Sequence, residues 1–399
     1  MKTYRVAILG CRKGGRGERA AQGYHNHPRT DLVGLCDLIP EQFNALGEEF
    51  GVRPSARYTD LDQMIEEVQP DIVAIPTATE LHYELSMRVL EHSVNIEVEK
   101  PLCLDLIQAD ALIAKAKEKG VRVAVHHQGG VGIHMQAALK AYRAGRIGDL
   151  RYIFSAGKGY YGGYELIHQD THILNNDIMF AGRCRAVSAV ALAGGRSVTP
   201  EDVHRVWGAG TIIGEHITAA MEWENGVTGT HICHRFPRVP GDTAHVTELH
   251  GTEGRIMVYG SSRQVAPRLL SQPFYYPNGT DDQWQALDPI YPPGYEESMN
   301  VRNVDDYGFA EEWVQALDEG RDHACSGEKA HHVVEIIMAI YESAGYGRRV
   351  DIPQANREHP LVRLRRERGL KDTTQSPRQY QELLETEDQR REQIPAAAG

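Results

Sequence analysis

Five short apolar runs, each closed by a polar or glycine-bearing turn and separated by four helix-length stretches, constrain this chain more than any other feature. They are Val6-Ala7-Ile8-Leu9, Leu32-Val33-Gly34-Leu35-Cys36, Asp71-Ile72-Val73-Ala74-Ile75, Asn95-Ile96-Glu97-Val98 and Arg122-Val123-Ala124-Val125. Unbroken apolar runs of this length read as strands buried on both faces. Helical patterns separate them over residues 18–26, 40–50, 82–90 and 107–119. Strands alternating with helices predict a parallel sheet with right-handed crossovers, and in such a sheet ligands sit beyond the carboxyl ends of the strands. Those ends carry Gly10, Asp37, Pro76-Thr77, Lys100 and His126-His127.

The first strand runs into Gly10-Cys11-Arg12-Lys13-Gly14-Gly15-Arg16-Gly17, which opens a helix. Glycines let backbone N–H groups approach a pyrophosphate, and the helix N-terminus adds partial positive charge. Arg12 stands where a GxGxxG pattern would have its second glycine, so Gly10, Arg12, Lys13, Gly14 and Gly15 form a loose version of that fingerprint. Asp37 closes the second strand, where a carboxylate can accept both ribose hydroxyls and would repel a 2′-phosphate. Loop and acid together point to NAD rather than NADP. Asp37 could instead serve only the helix that begins at Pro40.

Four local patterns then resemble the glucose–fructose oxidoreductase / inositol dehydrogenase (Gfo/Idh/MocA) family. They are Pro76-Thr77 with His82, Glu99-Lys100-Pro101-Leu102, Arg146-Ile147-Gly148-Asp149-Leu150, and His172 followed by Gly182. Weaker echoes, at 250–254 and 339–353, extend the resemblance over about residues 4 to 354. It implies an α/β N-terminal Rossmann domain followed by a C-terminal α+β domain whose open, mainly antiparallel sheet often serves as an oligomer interface. It further implies cofactor contacts from Pro76, Thr77, His82, Glu99, Lys100 and Gln128, a cofactor or substrate contact from His127, a cis Lys100-Pro101 peptide, catalysis by His172, and substrate binding by Asn175. The expected assembly is a homodimer or homotetramer.

The residues themselves suit alcohol oxidation. Moving a hydride from a carbinol carbon requires a base within reach of the hydroxyl and a cation to steady the developing alkoxide. Lys100 ends a strand at the cofactor edge, and His172 lies in a stretch where Glu165, His168, His172 and Asn175 share one helical stripe, apart from apolar Ile167, Leu174 and Ile178. His168 stands where the family often has an aspartate that assists the histidine, and is the third catalytic candidate. Lys158 and Tyr160, before Gly162-Gly163, would suit sugar hydroxyls or an anionic group, and Arg235 follows the hairpin that Asn225-Gly226 predicts. The pair His168 and His172 has the spacing of a helical metal site but lacks the glutamate of a zinc-protease motif, so no metal is expected. These readings predict an NAD-dependent oxidoreductase acting on a sugar, sugar derivative or cyclitol. The alternative is an NAD-dependent glycosidase working by transient C3 oxidation, elimination, water addition and re-reduction, on an anionic sugar such as a sulfoquinovoside. A non-catalytic NAD sensor would have little use for both Lys100 and His172.

Composition sets the boundaries. A chain of 399 residues exceeds one hydrophobic core, and a net charge of -12 argues against nucleic-acid binding. Six scattered cysteines without a CxxC pair, no secretory signal and no membrane-length apolar window predict a cytoplasmic protein. The expected division is a Rossmann domain over 1–130, a substrate-binding and oligomerisation domain over 131–355, and a charged tail over 356–399.

Overall fold

The computed structural model describes residues 1–234, 245–259, 265–273, 284–371 and 377–392. The chain forms two compact units. The first comprises Met1–Cys103, Gln108–Lys140 and Leu287–His331; the second comprises Leu104–Ile107, Ala141–Ala286 and His332–Gly399. No single cut of the chain separates them, because a segment far beyond residue 130 returns to the first unit and the charged tail belongs to the second.

In the first unit, β1 (Tyr4–Leu9), α1 (Arg16–Asn26), β2 (Thr30–Cys36), α2 (Pro40–Glu49), β3 (Arg57–Tyr58), α3 (Leu61–Val68), β4 (Ile72–Ile75), α4 (His82–Glu91), β5 (Asn95–Val98), α5 (Leu106–Lys119) and β6 (Val123–Val125) follow one another. The strands are parallel in the order β3-β2-β1-β4-β5-β6. Val6, Ile8, Ile72, Val73, Ile96 and Val98 have no exposed surface, which is why their sequence shows no alternation. Each contributes about 1.5–3 kcal/mol by leaving water. The order reverses between β1 and β4, so the two carboxyl ends flank the crevice where such sheets bind ligands. Helix α3 escaped the periodicity reading. Asp60 caps it by accepting from the Gln63 N–H at 2.8 Å, and Leu61, Met64, Ile65 and Val68 supply its buried face. After α6 (Ile133–Arg143) the chain leaves this unit.

The second unit contains β7 (Leu150–Ala156), α7 (Gly162–His168), α8 (Thr171–Ala181), β8 (Cys184–Ala193), β9 (Arg196–Ser197), β10 (Val203–Val206), β11 (Gly210–Ile213), β12 (His216–Trp223), β13 (Thr228–Cys233), β14 (Val246–Gly251), β15 (Arg255–Tyr259), β16 (Arg268–Leu270) and β17 (Gln285–Ala286). Helix α9 (Val304–Glu319) then packs back on α1 in the first unit: a Cβ on Gly23 would stand 2.7 Å from the Asp306 carbonyl. Helix α10 (Gly327–Tyr346), β18 (Val350–Asp351), α11 (Pro360–Glu367) and α12 (Tyr380–Glu392) complete the chain.

The large sheet runs β17-β16-β15-β14-β7-β13-β12-β8-β18, with β9 on β8; every pairing is antiparallel except β7 with β13. Period-2 burial is clear in β12, where Ile217, Ala219, Met221 and Trp223 are buried and Thr218, Ala220 and Glu222 are exposed. Asn225 and Gly226 both have positive φ (61° and 74°), as the predicted hairpin turn requires. Strands on one side and helices on another make this unit α+β, as the sequence led us to expect. Among the described residues of the tail, Leu361, Leu364 and Leu383 are all buried.

Candidate active site

At the crevice end of the first unit, close approach explains the glycines. Gly10 has φ +106°, and a Cβ there would stand 3.0 Å from Thr77 Cγ2; a Cβ on Gly17 would stand 2.2 Å from the Gly10 carbonyl oxygen. Gly14 also has a positive φ, +73°. Gly15, the residue before α1, offers no side-chain cap, so the amides of the first turn lack a capping oxygen of their own. Asp37 does more than the sequence suggested. Its Oδ2 accepts from the Cys11 N–H at 2.7 Å and its Oδ1 from the Ile39 N–H at 2.9 Å, so it braces both the loop and the entry to α2. Arg12 and Lys13 are exposed, with Lys13 paired to Glu49 at 3.3 Å. Thr77 Oγ1 and Gln128 Oε1 are buried with no partner among the described residues. Open glycines, an uncapped helix start, an acid after β2 and the buried Thr77 hydroxyl beside the loop fit NAD.

Lys100 follows β5, its peptide to Pro101 is cis, and its N–H donates to Glu99 Oε2 at 3.2 Å. Beneath it lies a buried network that the sequence did not reveal. Tyr24 Oη donates to Glu97, and His126 bridges Glu97 Oε1 at 2.6 Å and Asp306 Oδ1 at 3.0 Å. Arg16 pairs with Glu99 and, at 3.4 Å, with Asp306. Burial would push the Glu99 carboxyl up, but Arg16, His126 and Lys100 outweigh it and hold it down at about 2. Burial and the Arg16 charge pull His126 down, while Glu97 and Asp306 lift it to about 9. His127 goes the other way, pushed down to about 3 by burial and by Lys100, so it is neutral at physiological pH. His82 is fully buried, with Nδ1 2.7 Å from the Pro101 carbonyl and Nε2 3.3 Å from that of Thr77. It ties the ends of β4 and β5 together, and burial lowers its pKa.

In the second unit the single polar stripe is not formed. The helix breaks at Gln169-Asp170, whose N–H groups both donate to the Glu165 carbonyl, at 2.7 and 3.0 Å. His168 therefore ends α7 while His172 lies in the first turn of α8. The break turns Asp170 inward, where its Oδ2 lies 3.0 Å from both His231 Nε2 and Cys233 Sγ. His231 Nδ1 meets Ser155 Oγ at 2.8 Å, and Ser155 donates to Asp177 at 2.9 Å. Asp170, His231 and Cys233 are all fully buried, and their donor types could hold a metal ion, yet their atoms are already hydrogen-bonded to one another. Glu165, expected on a cleft-facing stripe, is fully buried as well. Its carboxyl accepts from the N–H groups of Lys158, Gly159 (3.1 Å) and Tyr160 (3.0 Å) and so shapes the loop before α7. Burial and the neighbouring Asp170 charge push its pKa up.

The remaining candidates of this unit cluster around the start of α8. Lys158 Nζ donates to Gln169 Oε1 at 3.3 Å, and Asn175, fully buried, reaches Met179 Sδ at 3.8 Å. The His172 ring lies 6.3 Å from that of His245, a residue the sequence did not single out. Burial, together with Lys158 and His231, depresses His245 well below the usual histidine range. His168 places Nδ1 3.3 Å from the Gly208 carbonyl and stacks on Tyr164. Arg235 lies outside the described residues. Lys100, His127 and the glycine loop thus belong to the first unit, and Lys158, Tyr160, His168, His172 and Asn175 to the second.

Comparison with known proteins assigns both halves of the chain to one family. An oxidoreductase family model described as an NAD-binding Rossmann fold matches residues 4–127, and its companion C-terminal alpha/beta domain matches residues 158–352. D-apiose dehydrogenase of Paraburkholderia graminis is 25% identical over 380 residues, covering 91% of this chain and 93% of its own. D-glucoside 3-dehydrogenase of Escherichia coli is 21% identical over 369 residues, covering 87% and 97%. Among solved structures, levoglucosan dehydrogenase in complex with NADH and L-sorbose superimposes with a TM-score of 0.73 at 19% identity, covering 89% of this chain and all of that one.

Proposed function

Because the chain belongs to the Gfo/Idh/MocA oxidoreductase family, with an NAD-binding Rossmann unit, we propose that it oxidises a secondary alcohol of a sugar or sugar derivative. The observation that carries this reading is Lys100 at the carboxyl end of β5, its backbone held by Glu99, in the same unit as a glycine loop that we assign to the pyrophosphate. NAD, when bound, supplies the hydride acceptor. The protein's own groups have to manage the proton and the alkoxide. The Lys100 ammonium donates to the substrate oxygen and stabilises the negative charge that builds there. His172 takes up the hydroxyl proton as general base. His127, kept neutral by burial and by Lys100, can donate or accept a hydrogen bond without a charge, which suits an uncharged hydroxyl. Tyr160, Lys158 and Asn175 are assigned to the other hydroxyls, and Pro76, Thr77 and Gln128 to the cofactor edge. Six buried cysteines, with no disulfide among the described residues, support a reducing, cytoplasmic setting. No helix among the described residues is long and apolar enough to cross a membrane. The sheet of the second unit, where Val190 of β8 is 59% exposed, is the proposed face of a homo-oligomer.

The names of the relatives choose the first substrates: D-apiose, glucosides and levoglucosan, supplemented by cyclitols and sugar acids. Purified protein is incubated with NAD and each compound, and with nitrophenyl glycosides, while NADH and released nitrophenol are followed together. Steady NADH formation from a free sugar or glycoside supports the proposal. Nitrophenol release without net NADH replaces it with redox-assisted glycoside cleavage. No NADH from any polyol overturns it.

A further inference from the structure

The family match ends at residue 352, yet the described residues beyond it, 353–371 and 377–392, form an arm that packs on the second unit. Its last described segment is anchored at several points. Arg378 pairs with the end of β10, its N–H donating to the Arg205 carbonyl at 2.9 Å and its carbonyl accepting from Trp207 at 3.0 Å. One turn into α12, Leu383 is buried, and further along Glu387 stands 3.5 Å from His216 while Arg390 pairs with Glu215. These contacts bring the first residue of α12, Tyr380, onto the loop and helix that carry Tyr160 and His168.

The Tyr380 ring stacks on Tyr164 with centroids 4.3 Å apart and planes 14° apart. Tyr164 in turn stacks on His168 at 4.8 Å and 29°. Tyr160 meets Tyr380 edge-on, 5.9 Å away at 87°. The result is a column of three rings, His168–Tyr164–Tyr380, with Tyr160 set against its outer member. Stacked and edge-to-face contacts have preferred geometries and resist ring rotation. A ring held on its flat side by Tyr164, with Nδ1 facing the Gly208 carbonyl at 3.3 Å, is fixed in plane. The carbonyl can only accept, so Nδ1 carries a proton and donates to it.

We infer that the C-terminal arm belongs to the substrate-binding machinery, with Tyr380 as a positioning residue that sets His168 and Tyr160 for a polyhydroxylated substrate. Tyr380 acts through ring contact, not through its hydroxyl. This rests on the proposed sugar oxidation, and the substrate class it serves is the same: a sugar whose hydroxyls hydrogen-bond to an imidazole and a phenol held at fixed orientation.

Full-length Tyr380→Ala, Tyr380→Phe and Leu383→Ala are compared with the unmodified protein on the best sugar of the panel. Tyr380→Ala raises the sugar KM roughly three- to tenfold, the range expected for a lost aromatic pair, and leaves the KM for NAD unchanged. Tyr380→Phe keeps the sugar KM, and Leu383→Ala, which loosens the arm from a different side chain, reproduces the rise. A Tyr380→Ala protein with unaltered sugar KM, or a Tyr380→Phe protein as impaired as the alanine variant, overturns the inference. Amide hydrogen exchange over residues 158–168, measured without substrate, keeps the two proposals apart. Faster exchange in Tyr380→Ala but not in Tyr380→Phe supports the arm's role whatever the substrate proves to be, and identical exchange in all three refutes it. A protein that oxidises no sugar refutes only the dehydrogenase reading.

Discussion

Replacing His126 with glutamine would remove the one imidazole that links two buried carboxylates in the first unit. The ring sits 2.6 Å from Glu97 and 3.0 Å from Asp306, and all three side chains are buried. Its rise from the ordinary 6.5 to about 9 is net of the burial penalty and corresponds to about 3 kcal/mol in favour of the charged ring. Removing one partner of a buried ion pair costs about 3–5 kcal/mol by general experience, so the two routes agree. The sign with pH follows from the direction of the rise. A folded-state pKa above the unfolded one gives stability that is fully present below 6.5 and is lost as pH climbs through 9. His126→Gln should therefore lower the stability of the first unit by about 3 kcal/mol near neutral pH, with the gap from the unmodified protein closing as pH rises through about 9. Urea unfolding, followed by labelling of Cys11 and Cys325, both without exposed surface, reads this unit separately from the other. A gap below about 0.5 kcal/mol near neutral pH, or one that widens with rising pH, would refute the idea that His126 carries a charge between its two acids.

Other expectations can be checked in the same preparation. Lys100→Met and His172→Ala should each reduce turnover by about 100-fold or more with NAD affinity retained by calorimetry; near-normal turnover in either removes that residue from the chemistry. Asp37→Ala should narrow the preference for NAD over NADP in kcat/KM, since the acid that repels a 2′-phosphate is gone, and an unchanged ratio rejects the ribose assignment. Gly17→Ala places a methyl 2.2 Å from the Gly10 carbonyl, so the loop must shift and NAD binding should weaken at least tenfold in a titration; unaltered affinity would show that the loop is not the pyrophosphate site.

The parallel sheet was legible because strands buried on both faces leave unbroken apolar runs that no other element of that length produces. The hairpin at Asn225-Gly226 was legible because a turn with two positive φ angles admits few residues. Helix α3 was missed: its Leu61, Met64, Ile65 and Val68 spacing is correct, but only eight residues long and laced with acids. The polar stripe failed for an instructive reason. Periodicity places Glu165, His168, His172 and Asn175 on one face, yet it carries no sign that Asp170 is wanted in the core by His231 and Cys233, which lie more than sixty positions away. The same holds for Asp306 and His126. Networks assembled from four or five distant elements leave no local pattern, so their members read as unremarkable polar residues until the chain is folded.

The return of residues 287–331 to the first unit has a consequence for biogenesis. Asp306, the acid shared by Arg16 and His126, and Trp313, fully buried in α9, are translated after the whole stretch from Ala141 to Ala286. The nucleotide-binding half therefore waits, incomplete, while its neighbour is being synthesised. A fragment cut after residue 130 would carry every glycine of the loop but leave His126 with Glu97 alone. Shuffling such proteins by joining the front of one to the back of another must carry the later segment along with its front.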